Sequence, residues 1–155
     1  KFIKFFIIPF FIVVSFYQVL QLIGIVPNAK VITGSELSNI NRNKLIDKKI
    51  INKNDEILFF YSDGFFSILE GGELITEDKL ISYGKNEDNI FDIWEMKIEN
   101  IKDIELIEKG PFYGSTYKII GNNQSEIENM YIFLPPSGYF AGEKFTNYLK
   151  NLIIK

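Results

Sequence analysis

From Phe5 to Ala29 the chain runs 25 residues without a single charge, and its middle reads FIVVSFYQVLQLIGIV. An α-helix needs ~20 apolar residues to cross ~30 Å of hydrocarbon. Lys1 and Lys4 stand before the run and Lys30 stands after it. Length and flanking lysines together predict a transmembrane anchor. Two other readings compete. A cleaved signal peptide fits the basic start and a cut after Ala29, but signal cores span only ~7–15 residues, and Pro27 occupies a position that favours a small residue. A buried core helix would need polar punctuation along one face, and almost none is present. Gln18 and Gln21 lie one helical turn apart and are expected near a membrane interface rather than in a helix–helix contact. After the run come Lys30, Arg42, Lys44, Lys48 and Lys49. This excess of positive charge predicts a cytoplasmic domain.

The remaining 31–155 are enough for one domain. Hydrophobic residues make up 46% and aromatics 15% of the chain, sufficient to build a core. Residues 31–155 hold 14 basic against 20 acidic side chains, a balance of −6. That sign argues against nucleic acid as a partner and against tight docking of the domain on anionic lipid. The chain has no Cys and no His. Disulfides, thiol nucleophiles, thiolate metal sites and the commonest general base near neutral pH are therefore excluded. Arg42 is the only arginine, so bidentate recognition of phosphate is nearly unavailable.

Residues 33–51 read as a helix, because Thr33-Gly34-Ser35-Glu36 has capping-box spacing. Short strands with frequent turn signals follow. Glu56–Ser62 is the first, Asp63-Gly64 reads as a hairpin turn, and Phe65–Glu70 returns. Gly71-Gly72 reads as a second turn into Glu73–Thr76, and Glu77-Asp78 as a third into Lys79–Lys85. In Ile90–Ile98, Trp94, Met96 and Ile98 alternate with charged residues, which predicts one buried face. Lys102–Lys109, Ser115–Gly121 and Asn129–Leu134 complete the series. A last helix is predicted from Tyr139 to Ile153, with Ala141, Phe145, Tyr148, Leu149, Leu152 and Ile153 forming an apolar stripe.

Three segments carry a family resemblance: GELITEDKLISYGK (residues 72–85), MKIENIKDIELIE (96–108) and GEKFTNYLKNLI (142–153). They resemble the paired strands, the strand–turn–strand step and the closing helix of the bacterial pleckstrin-homology-like domains, over about 57–154. Lys79 stands where that family often has Arg, and no basic headgroup pocket is evident. The resemblance implies a mainly β fold with α: an antiparallel sandwich or barrel of seven or eight strands closed by a C-terminal amphipathic helix. Three regions are expected: an anchor over residues 1–30, a linker helix over 31–55 and the β domain over 56–155.

Each candidate site has a plain structural reading beside the functional one. Tyr61, Asp63, Glu70 and Glu73 cluster around two turns. Paired carboxylates can perform acid–base chemistry or hold Ca²⁺, but Asp-Gly and Glu-Gly-Gly are also ordinary turn material. The block Phe59, Phe60, Phe65 and Phe66 is read as core, as is Trp94. Lys79, Lys85 and Lys118 are read as a solvated face rather than a phosphate site, and residues 135–140 (PPSGYF) as a connector. No catalytic residue, metal ligand or cofactor is assigned. The expected function is that of a non-catalytic PH-like binding or scaffold module, anchored by a single pass in a bacterial inner membrane. Its partners are the membrane, through residues 5–29, and a second protein or a copy of itself, met at a strand edge or beside the last helix. The alternative is a periplasmic or secreted small-ligand binder released by signal cleavage.

Overall fold

The computed structural model describes residues 2–22, 26–27, 30–110, 114–135 and 142–153. Helix α1 is Phe2–Leu22, β1 is Ile32–Thr33 and α2 is Asn39–Asp47. Strands β2 (Ile57–Tyr61), β3 (Gly71–Thr76), β4 (Lys79–Lys85) and β5 (Phe91–Lys97) follow. A short 3-10 turn at Ile98–Asn100 leads into β6 (Ile101–Lys109), β7 (Ser115–Gly121) and β8 (Asn129–Leu134), and α3 is Gly142–Ile153. The eight strands form two antiparallel sheets, β1-β2-β3-β4-β5 and β6-β7-β8, which do not close into a barrel.

Two apolar layers hold the domain. Ile75, Leu80, Met96, Ile119, Leu134 and Phe145 belong to one cluster, between the sheets and under α3. The other lies on the opposite face of the five-stranded sheet, where Leu37, Leu45, Ile50 and Ile68 cover Phe60, Leu74 and Ile81. Neighbouring strand residues point to opposite faces. This is why Leu80 and Ile81 enter different clusters, and why every residue of β3 is buried. From the expected helical stripe, Phe145 and Leu149 are fully buried, and Tyr148 and Ile153 pack against the same cluster. Ala141 and the other predicted helical positions before Gly142 lie outside the described residues.

Several expectations are corrected. The helix predicted over 33–51 occupies only Asn39–Asp47 and starts at Ser38, whose hydroxyl accepts the Asn41 amide. The capping box forms its bond but not its helix. Glu36 accepts the Thr33 amide at 2.7 Å and closes a turn after β1. Phe65–Glu70 is not a strand and Asp63-Gly64 is not a hairpin; residues 62–70 are one loop between β2 and β3. Gly71-Gly72 is not a turn but the start of β3. A Cβ at Gly72 would strike the Tyr61 carbonyl oxygen and crowd the Tyr83 hydroxyl, so this strand needs glycine for close approach.

The transmembrane expectation is corrected as well. Among the described residues no helix is long and apolar enough to cross a membrane. Helix α1 ends at Leu22, with Pro9 inside it, and in the rest of the charge-free run the described Val26 and Pro27 are not helical. Its later part turns onto the domain. Val26 is buried, Gln21 donates to the Pro27 carbonyl at 3.1 Å, and Tyr17 donates to the Phe65 carbonyl at 2.9 Å. Ahead of Tyr17, α1 runs from Phe2 to Phe16, 15 residues or ~22 Å at ~1.5 Å per residue, against ~30 Å of hydrocarbon.

Candidate functional site

The register of the five-stranded sheet sets the geometry. Tyr61 on β2 is opposite Glu73 on β3. Glu73 is opposite Ser82 on β4, and Ser82 is opposite Trp94 on β5. The four side chains therefore form one row across the sheet. Tyr61 belongs to the core cluster shared with the three-stranded sheet, so the row faces that sheet.

Glu73 is buried inside the sandwich. One carboxylate oxygen accepts the Phe133 amide of β8 at 3.1 Å, tying the two sheets together. The other, Oε2, is buried with no hydrogen-bond partner among the described residues. Burial pushes its pKa well above the ordinary carboxylate value; the Phe133 amide and the Ser82 hydroxyl pull the other way, and Asp63 adds to the rise. Burial, followed by the nearby Asp63 and Glu73, pushes the Tyr61 hydroxyl up to about 12. Asp63 is exposed as a residue, yet its carboxylate lies against Gly71. That desolvation raises its pKa, its own amide lowers it, and Glu70 raises it further.

Glu70 has a different environment. Its carboxylate accepts the amides of Phe65 at 2.7 Å, Phe66 at 3.1 Å and Ser67 at 3.0 Å. The three acids of the predicted cluster are thus neighbours with separate tasks: Glu73 joins the sheets, Glu70 caps its own loop and Asp63 covers Gly71. Among the described residues no group of three or more His, Cys, Asp or Glu is placed to hold a metal ion.

The aromatic block divides. Phe60 is in the core, and Phe59 packs on Phe145 and Tyr148 with ring centroids 6.5 and 5.1 Å away. Phe65 and Phe66 are 61% and 71% exposed, against the core expectation. Trp94 also departs from it, at 44% exposed, because β5 is an edge strand. The lysines are not brought together. Lys79 pairs with Glu95 at 3.2 Å. Lys85 lies over the Phe91 ring at the far end of β4, ~20 Å away at ~3.4 Å per residue. Lys118 is on the other sheet. Residues 136–140 of PPSGYF lie outside the described residues.

Two of the concave surfaces adjoin a strand edge or the last helix. A cleft of about 300 Å³ opens between the sheets, lined by Ser82, Trp94, Asn129, Met130 and Tyr131. Strand β8, an edge of its sheet, forms one wall. The Phe133 amide points away from β7 to reach Glu73. By the two-residue period of an antiparallel ladder, Tyr131 and Asn129 present their backbone to the same free edge. The second surface is a groove of about 550 Å³ beside the end of α3, bordered by Glu77, Asp78, Lys97, Glu99 and Ile153. Sequence reasoning named a strand edge but not β8. The available signal was NMYIFL, where Tyr131 and Phe133 alternate with the buried Met130, Ile132 and Leu134.

No known sequence family matches the chain, and no curated protein does. Solved structures do. A DUF1696-family protein with a pleckstrin-homology domain from Shewanella loihica superposes with a TM-score of 0.52 at 12% identity, over 81% of this chain and 99% of that one. The fold is pleckstrin-homology-like. A pleckstrin-homology domain from Shewanella amazonensis gives a TM-score of 0.48 at 14% identity, over 72% of this chain and 97% of that one. At these identities the PH-like likeness concerns architecture: two sheets packed face to face under a C-terminal helix.

Proposed function

We propose that this chain is a non-catalytic PH-like scaffold held at a membrane by its N-terminal segment, where β8 offers an edge to a protein partner. The carrying observation is α1. Phe10, Phe11, Ile12, Val13, Phe16 and Val19 are each more than half exposed, on a helix with no acidic residue in its first turn and no basic residue in its last. So many large apolar side chains facing water mark a surface meant to be covered. The Tyr17–Phe65 bond favours a retained segment over a cleaved one. The excess of lysine and arginine after the run favours a cytoplasmic domain.

For the partner, the support is the free β8 edge beside the Trp94–Tyr131 cleft. An extended segment added there would gain ladder hydrogen bonds, and its side chains would enter the cleft. Against catalysis stand the separate tasks of Glu70 and Glu73. A photo-crosslinking side chain replacing Tyr131 should capture a protein in native membranes, while one at Glu105, on β6, should not. Equal capture at both positions would remove β8 as the binding edge.

A further inference from the structure

We propose that the tip of the 62–70 loop is a lipid contact: Phe65 and Phe66 insert into the headgroup–acyl boundary beside α1 and fix the tilt of the domain on the bilayer. This rests on the membrane-held reading of α1 and adds a second contact to it. Among the described residues after Lys30, the two rings are the most exposed aromatics. They meet edge to face, with centroids 4.7 Å apart.

The loop that carries them is preorganised. Glu70 takes the amides of Phe65, Phe66 and Ser67. The Ser67 hydroxyl accepts the Leu69 amide. The Ser62 hydroxyl accepts the Gly64 amide and donates to the Gly71 carbonyl. Ile68 is buried, and its carbonyl accepts the Tyr83 hydroxyl at 2.7 Å. Backbone groups that enter a low-dielectric layer must already be paired, and at this tip the amides of Gly64, Phe65, Phe66, Ser67 and Leu69 and the carbonyl of Phe65 are.

Helix α1 sets the level. The Tyr17 ring stacks on Phe65 with centroids 5.3 Å apart and planes 20° apart. Its hydroxyl bonds the Phe65 carbonyl. Tyr17, Val13 and Phe10 are spaced i, i−4 and i−7, on one face of the helix. The exposed apolar surface therefore continues from that face onto Phe65 and Phe66. Tyr17 stands five residues before the end of α1, roughly 7.5 Å along its axis. Any bilayer that takes up the free apolar part of α1 must meet the loop at the level of Tyr17, which suits the amphipathic ring of an interfacial tyrosine. Residues 62–70 contain Asp63 and Glu70 and no basic side chain. The contact is thus apolar and aromatic, and a zwitterionic bilayer should suffice.

The test uses the intact chain in phosphatidylcholine nanodiscs. Trp94 is the only tryptophan, so Trp94→Phe gives a silent background. Phe66→Trp and Phe10→Trp then report one at a time, with lipids brominated near the headgroup or deep in the chain. The expected result is a blue-shifted Phe66→Trp emission quenched mainly by shallow bromine, with Phe10→Trp quenched by deep bromine. If Phe10→Trp is quenched while Phe66→Trp emits as in water, the loop proposal is overturned and the reading of α1 survives. A blue shift without bromine quenching at Phe66→Trp would mean that protein covers the loop, which also overturns it. If neither probe is quenched, the membrane reading of α1 fails, and the loop proposal with it.

Discussion

Strand β2 and the loop after it carry the same dipeptide six residues apart, and the two copies have opposite fates. Phe59-Phe60 lies in a strand packed on both faces, so each ring meets a different core layer. Phe65-Phe66 lies in a loop whose amides are gathered by Glu70, and both rings face outward. The acids repeat the contrast. Glu70 is exposed and accepts three amides, whereas Glu73, three residues on, is buried, with one oxygen on the Phe133 amide and the other without a hydrogen-bond partner within 3.5 Å among the described residues. Identical side chains are assigned to structure or to surface by the backbone that presents them.

Substitutions separate the two regions. Phe60→Ala should cost about 3–5 kcal/mol of folding free energy in urea denaturation, as for a large aromatic removed from a core. Glu70→Ala should cost about 1–3 kcal/mol, because three loop amides lose their acceptor. Hydrogen exchange at Phe65, Phe66 and Ser67 should then accelerate selectively; unchanged rates would mean that the carboxylate does not hold the loop.

Glu73→Gln gives a subtler effect that depends on pH. The folded pKa of Glu73 lies well above its ordinary 4.5. Between those two values the native state holds more protons than the unfolded chain, so stability falls as pH rises through that window and levels off above it. Glu73→Gln keeps the acceptor for Phe133 and should abolish the decline, leaving the variant the more stable form at the alkaline end. Parallel stability curves for the two proteins would contradict the buried-acid reading. The smallest effect is expected for Phe66→Ala, under about 0.5 kcal/mol on folding; a larger loss would place Phe66 in the core after all.

The sequence made the strand rhythm legible where turn chemistry and apolar alternation agreed. Lys79–Lys85, Ser115–Gly121 and Asn129–Leu134 are the observed bounds of β4, β7 and β8. It misled where a local signal was used for another purpose. Thr33 and Glu36 bond as in a helix start but close a turn. Gly71-Gly72 serves close packing inside a sheet. The fate of the two phenylalanine pairs was not legible, since it depends on whether the chain returns as a strand after Asp63-Gly64, which local propensity favours and the structure does not adopt. Glu73 was partly legible: it is two residues from the buried Ile75 on the same strand, so the two-residue period already turns it inward. The cleft beside Trp94 was not, because it depends on two sheets that do not close.

Vesicle flotation of the intact chain, through high salt and carbonate, tests the central claim that an exposed apolar helix holds a PH-like domain at a membrane. The expected result is that the chain rises with phosphatidylcholine vesicles and stays with them. Val14→Arg should weaken that association while the β domain remains folded, because a charge on the apolar helix must lose its water to enter the bilayer. A folded chain that stays at the bottom of the gradient, or one that floats equally well with Val14→Arg, would contradict it.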